Sequence, residues 1–375
     1  LGNGQLRLYV DLTPVAALGS ELSGMAPEGL NLMPLVNAVA GFGQIGMRLR
    51  VTGAGVEAAT VLAPAATKDP ALASLLLGKP GAPLQAAGVV PSTAVSFSTS
   101  AVNMGGLYTY LNTLVDKTGL NPGGLDALAA QELGLDLRKN LINWMGGEIA
   151  TAQFNVASKT NPLESVYFIR VTDPQAAQAG LEASVPVIAK SLGQALDTAG
   201  SELGAATGGK GKVTTPPVTA VKATPGSIAG VNVTRWGNGS TAVITAFQNN
   251  FLIVATSEAG MTAALAGGPR LSAASAWTST VAKAPANATA LSMTNEAATL
   301  RAAATAMNAI GPALSAGLSG ELGQGAEAYS GTAMGFLTQI GGFLNALASR
   351  AGTSYGWTAV SNGRLTTTSF VPMRW

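Results

Sequence analysis

The chain has 375 residues, 47% of them hydrophobic and only 11% charged, with a formal net charge of +2. Such a small charge gives no field for drawing in nucleic acid. Histidine and cysteine are both absent, which excludes imidazole bases, Ser-His-Asp triads, thiolate nucleophiles, disulfides, and His- or Cys-ligated metals.

In chain order, Leu6 to Asp11 alternates as a strand and Asn31 to Ala40 is helical. Gly41-Phe42-Gly43-Gln44-Ile45-Gly46 fits G-x-G-x-x-G, but it runs from helix into strand. A dinucleotide site needs the reverse order, so this is a glycine loop. Met47 to Val51 and Val56 to Val61 flank Gly53-Ala54-Gly55 as a hairpin. Strands follow at Thr93 to Thr99, Glu148 to Val156 and Ser165 to Thr172, with helices at Met104 to Lys117 and Asp126 to Leu133. Asp173-Pro174 opens a helix predicted to reach Ala199, since Asp caps and Pro suits the first turn. Residues Gly204 to Gly230 are rich in Gly, Thr, Pro and Lys and predict a long exposed loop. Val231 to Trp236, Thr241 to Phe247 and Phe251 to Thr256 form a meander, and Tyr355 to Val360 joins Arg364 to Val371 through Ser361-Asn362-Gly363.

Helices are also expected at Ala259 to Ala266, Glu296 to Ile310 and Gly331 to Ala348. Two uncharged runs, one between Arg301 and Glu321 and one between Glu327 and Arg350, are near the length of a membrane span. In the second, Leu337, Ile340, Leu344 and Leu347 fall at helical spacing beside Phe336 and Phe343, opposite a polar face. That amphipathic stripe predicts core-facing helices and no transmembrane span.

Hairpin-linked strands with interspersed amphipathic helices predict an α+β fold with antiparallel sheets. Pro91 to Phe97 and Pro285 to Leu291 share Pro-x-x-Ala before a strand and a helix. This echo suggests diverged repeats of a strand–helix–hairpin unit. The expected segments are 1–84, 85–270 (with the loop at 204–230) and 271–375, packed as one or two continuous domains.

The densest unusual residues lie in Gly134 to Phe154. Asp136 is a helix cap, Trp144 a core plug, Gly146-Gly147 a turn and Glu148 the start of a strand. The functional alternative makes Glu148 and Asp136 a carboxylate pair of a hydrolase. No catalytic, cofactor-binding or metal-binding residue is assigned.

The run Leu133 to Ala150, LGLDLRKNLINWMGGEIA, resembles a recurring segment of a bacterial family catalogued as domain of unknown function 3352. Val166 to Pro174, Phe251 to Leu265 and Leu271 to Pro285, with Trp277, are similar to that family in the same order. The resemblance implies an extracytoplasmic or envelope-anchored protein and transfers no catalytic residue. A start at Leu1 instead of Met fits removal of an N-terminal segment. The expectation is a non-enzymatic, extracytoplasmic (periplasmic, cell-surface or secreted) protein that binds or scaffolds in the cell envelope. Its partner is an unknown envelope component or an apolar, lipid-like ligand, with no nucleic acid and no cofactor. A structural surface-layer or adhesive component is a further alternative.

Overall fold

The computed structural model describes residues 5–19, 27, 29–78, 84–156, 162–206, 221–238, 241–306 and 339–374. Its centre is a 13-stranded sheet in which every neighbouring pair is antiparallel. The protein is α+β, as the hairpin pattern predicts.

The first segment contains β1 (Gln5–Asp11), α1 (Met33–Gly41), β2 (Gln44–Thr52) and β3 (Gly55–Ala63), followed by α2 (Pro70–Leu77). The second contains β4 (Ser96–Ala101), α3 (Met104–Thr118), α4 (Gly124–Leu133), β5 (Met145–Asn155) and β6 (Leu163–Val171). Helix α5 (Pro174–Ala206) leads to a meander of β7 (Ala223–Ile228), β8 (Val231–Asn238), β9 (Thr241–Gln248) and β10 (Phe251–Ala255). Then come α6 (Glu258–Leu265), α7 (Ser275–Lys283), β11 (Ala288–Asn295), helical residues 296–306 and 339–348, β12 (Thr353–Ser361) and β13 (Arg364–Pro372).

Across the sheet the order is β1-β2-β3-β13-β12-β11-β4-β5-β6-β10-β9-β8-β7. Residues 5–63, 96–171 and 288–372 all run as strand, helix, hairpin. At the β4–β11 junction Ser98 pairs with Ser292, Phe97 with Met293 and Thr99 with Leu291. A local two-fold through Ser98–Ser292 therefore relates Phe97 to Leu291. These are the final residues of the two Pro-x-x-Ala echoes.

Turn chemistry places the hairpins. Asn362 and Gly363 both have positive φ, 49° and 68°, as the tight turn between β12 and β13 requires. Asp173 accepts from the amides of Gln175 and Ala176, so the predicted Asp-Pro cap opens α5.

Both faces of the sheet are packed. In β10, Phe251 and Ile253 join one cluster while Leu252 joins the other, as strand alternation demands. The larger cluster sets Phe97, Phe154 and Phe168 against Met261 and Leu265 of α6 and Trp277 of α7. The Phe97 and Trp277 rings meet edge to face at 5.0 Å. On the opposite face Trp144, Trp236 and Leu252 pack against Ala177 and Leu181 of α5.

Three expectations are corrected. The 204–230 segment is not one long loop. Helix α5 extends to Ala206 and residues 223–228 form β7, while residues 207–220 lie outside the described set. Pro225 sits in β7 because this is an edge strand, where a missing amide costs no internal ladder bond. Gly146-Gly147 is not a turn, since β5 already begins at Met145 and its register to β6 shifts between Met145 and Ile149. Gly146 is needed there because a Cβ would lie 2.9 Å from Cγ of Arg170. Finally, Phe343 is 63% exposed, although Ile340, Leu344 and Leu347 form a half-buried stripe. Phe336 and Leu337 lie outside the described residues, as do most of the two uncharged runs. Among the described residues no helix is long and apolar enough to cross a membrane.

Trp144 is 2% exposed, and its Nε1 donates to the carbonyl of Asn140 at 2.7 Å. Helix α5 approaches this turn at Gly180, where a Cβ would lie 2.0 Å from that same carbonyl oxygen. Trp144→Ala is expected to cost ~3–5 kcal/mol through the cavity it leaves. Gly180→Ala is expected to cost ~1–3 kcal/mol by overpacking. Urea unfolding measures both, and native-like stability in either variant would contradict this packing.

Candidate functional site

The residues singled out in the sequence are structural in place and partners. Glu148 is 1% exposed. Its oxygens accept from the Gln85 amide at 2.9 and 2.8 Å, the Ala86 amide at 2.9 Å and the Thr99 hydroxyl at 2.7 Å. Charge-assisted bonds of this kind are strong, and they tie a short 3-10 turn (Ala86–Gly88) to β5. That turn starts the segment whose Ala86 and Val90 cover the larger core. Asp136 instead lies exposed and accepts from the Lys139 amide at 2.9 Å, closing one wide turn in which the Asn143 amide reaches the Arg138 carbonyl. No hydrogen bond joins Glu148 to Asp136, and neither lines the cavities described next.

The recesses lie among α1, α2 and α3. The outer one is a cleft of about 1000 Å³ along α3, walled by Met33, Pro34, Pro70, Leu75 and Leu114, with Lys68, Lys117 and Arg138 at its margins. The inner one, about 360 Å³, lies between α2 and the sheet and is lined by Leu76, Val102, Leu107 and Leu365, with the hydroxyl side chains Ser100, Thr289 and Thr358 among them. Ser74, Leu75 and Asn103 line both.

Capping explains how the walls are held. Asp69 accepts from the Leu72 amide at 2.9 Å, which starts α2. Its other oxygen accepts from the Tyr110 hydroxyl at 2.8 Å, which ties α2 to α3. Asn103 caps α3 through the Gly106 amide at 2.9 Å. The amide of Asn31 donates to the Thr118 carbonyl, placing the start of α1 beside the end of α3.

Among the described residues, the one carboxylate lining the outer cleft is therefore already occupied by Tyr110 and an amide. Arg138 is engaged by the Tyr108 ring, 5.1 Å away, and by Asp126 at 3.8 Å. Among the described residues no ion pair forms at Lys68 or Lys117. Burial, followed by the hydrogen bond to Asp69, pushes the Tyr110 phenol above its usual range. Burial and Asp126 do the same for Tyr108. Both phenols stay protonated near neutrality and act as fixed donors. Among the described residues no group of three or more acidic side chains could hold a metal. The arrangement suits holding a molecule, with apolar walls, small polar groups and cations at the margin.

The sequence signal for this cleft is Asp69-Pro70, the same pair that opens α5 as Asp173-Pro174. No family model, curated protein or solved structure matches the chain.

Glu148→Gln puts an amide N–H₂ against backbone donors and is expected to cost ~1–3 kcal/mol in urea unfolding. An unchanged midpoint would remove the anchoring role. Tyrosine in the unfolded chain ionises near pH ~10, whereas Tyr108 and Tyr110 hold their protons to higher pH when folded. The unfolded state loses those protons first, so stability is complete below pH ~10 and falls above it. The fall should be shallower in the Tyr108→Phe/Tyr110→Phe variant, as read from thermal unfolding across alkaline pH.

Proposed function

We propose that the protein is a non-enzymatic binding protein of the bacterial cell envelope that holds a lipid-like ligand. The observation that carries this reading is the pair of recesses meeting at Ser74, Leu75 and Asn103. The inner recess takes the apolar part, and the outer cleft takes the polar part beside its lysines. Pockets of ~300–1000 Å³ with apolar walls and a few placed polar groups are the usual form of small-molecule sites.

The extracytoplasmic setting rests on the resemblance of Leu133–Ala150 to the envelope-associated family, and on the charge-poor, cysteine-free composition. The three strand–helix–hairpin segments are read as diverged copies of one unit.

Organic-solvent extraction of the purified chain followed by mass spectrometry tests the reading. A lipid-like species is expected from the native protein. Much less is expected from Ser74→Trp, which places an indole where the recesses meet. Ser74 is exposed, so this variant should keep its circular dichroism and unfolding midpoint. A clean native extract, together with no uptake of a fluorescent fatty acid, would sink the proposal.

A further inference from the structure

The two edges of the sheet are built differently. At one edge, β7 carries Pro225 and Gly226, and a proline blunts an edge against further pairing. At the other, β1 is seven residues long, has no proline or glycine, and is exposed at every position. Its Leu6, Leu8 and Val10 are 66%, 54% and 39% exposed. They lie directly beside Leu49, Met47 and Ile45 of β2, so one face carries a continuous apolar strip.

The opposite face has a charge out of balance. Arg7 stands across from Arg48, and Arg48 and Arg50 share the single carboxylate of Glu57. Among the described residues Arg7 reaches only the amide oxygen of Gln5, at 3.2 Å. Four residues along the same strand, Asp11 is exposed on that same face, where its carboxylate accepts from the Thr13 amide and hydroxyl and from the Gln44 side chain but meets no cation among the described residues. The strand thus displays a cation and an anion symmetrically about Tyr9.

The interior of the sheet already shows how such strands join. β4 and β11 each open a strand–helix–hairpin segment, and they pair antiparallel about the Ser98–Ser292 two-fold. β1 opens the remaining segment and, among the described residues, has a partner on one side only.

We infer that β1 is a self-association strand that pairs antiparallel with β1 of a second copy, about a two-fold axis at Tyr9. In that register Arg7 faces Asp11 of the other copy twice, and Leu8 faces Val10 twice. The apolar strips of both copies become continuous, and the two sheets become one. The pairing is isologous and closes at two copies, because the outer edge of each sheet is then β7 with its proline.

The chain contains no cysteine, so one introduced thiol reports the register. Sedimentation equilibrium of the native chain should give a dimer. Tyr9→Cys should cross-link to its own counterpart on mild oxidation. Leu8→Lys and Arg7→Asp should each shift the equilibrium to monomer, and Arg7→Asp/Asp11→Arg should restore the dimer. Circular dichroism confirms that each variant is folded. A monomeric native chain would overturn the inference, including one whose strip instead binds phosphatidylglycerol vesicles. So would open-ended oligomers, or a dimer that neither cross-links through Tyr9→Cys nor responds to Leu8→Lys.

Discussion

The ladder between β4 and β11 joins strands nearly 200 residues apart, and the continuity of the sheet rests on it. Without it, β1-β2-β3-β13-β12-β11 and β4-β5-β6-β10-β9-β8-β7 would present two further unpaired edges. Hydrogen bonds alone do not select this register. Phe97 of β4 and Leu291 and Met293 of β11 are buried in the same cluster, and a one-residue slip would turn each to the other face. Ser96 and Thr294, paired across the same ladder, bond through their hydroxyls at 2.9 Å.

Gly134 to Phe154 holds both layers to that sheet. Trp144 fixes α5 on one face, and Glu148, four residues on, fixes the 84–95 segment on the other. The buried carboxylate has amide and hydroxyl donors and, among the described residues, no ion-pair partner, so its satisfaction depends on where that segment docks. The residues that looked most reactive in the sequence are therefore those with the least freedom. The cleft lies elsewhere, among α1 and α3, which connect first strands to their hairpins, and α2, which follows the first hairpin.

The hairpins were legible because their signals are local. Asn362-Gly363 demands positive φ whatever the distant chain does, and Asp173 needs only the amides two and three residues ahead. Local signals mislead where tertiary position overrides them. Proline argues against a central strand, but whether β7 is central is decided by the sheet order. Gly146-Gly147 has turn character in isolation, yet the approach of Arg170 from β6 is what requires Gly146. Helix α2, PALASLLL, is too short and too uniformly apolar to show a period. The cleft was hidden for a related reason, since its walls come from α1, α2 and α3 and meet only through long-range bonds such as Tyr110 to Asp69.

The β3–β13 ladder has a consequence for how the protein is made. Thr60 pairs with Thr367, so β3 waits for a neighbour that leaves the ribosome roughly 300 residues later. At ~5–20 residues per second this delay is roughly 15–60 s. Until then any sheet made by β1 to β3 alone has two open edges. β4 waits similarly for β11, whereas β5 to β10 find their partners locally. β3 and β4 therefore each keep one edge open for longer than β5 to β10 do. Until its neighbour arrives, the open edge of β3 is one that other strands can reach, and the length of that wait is set by sheet order and not by local sequence.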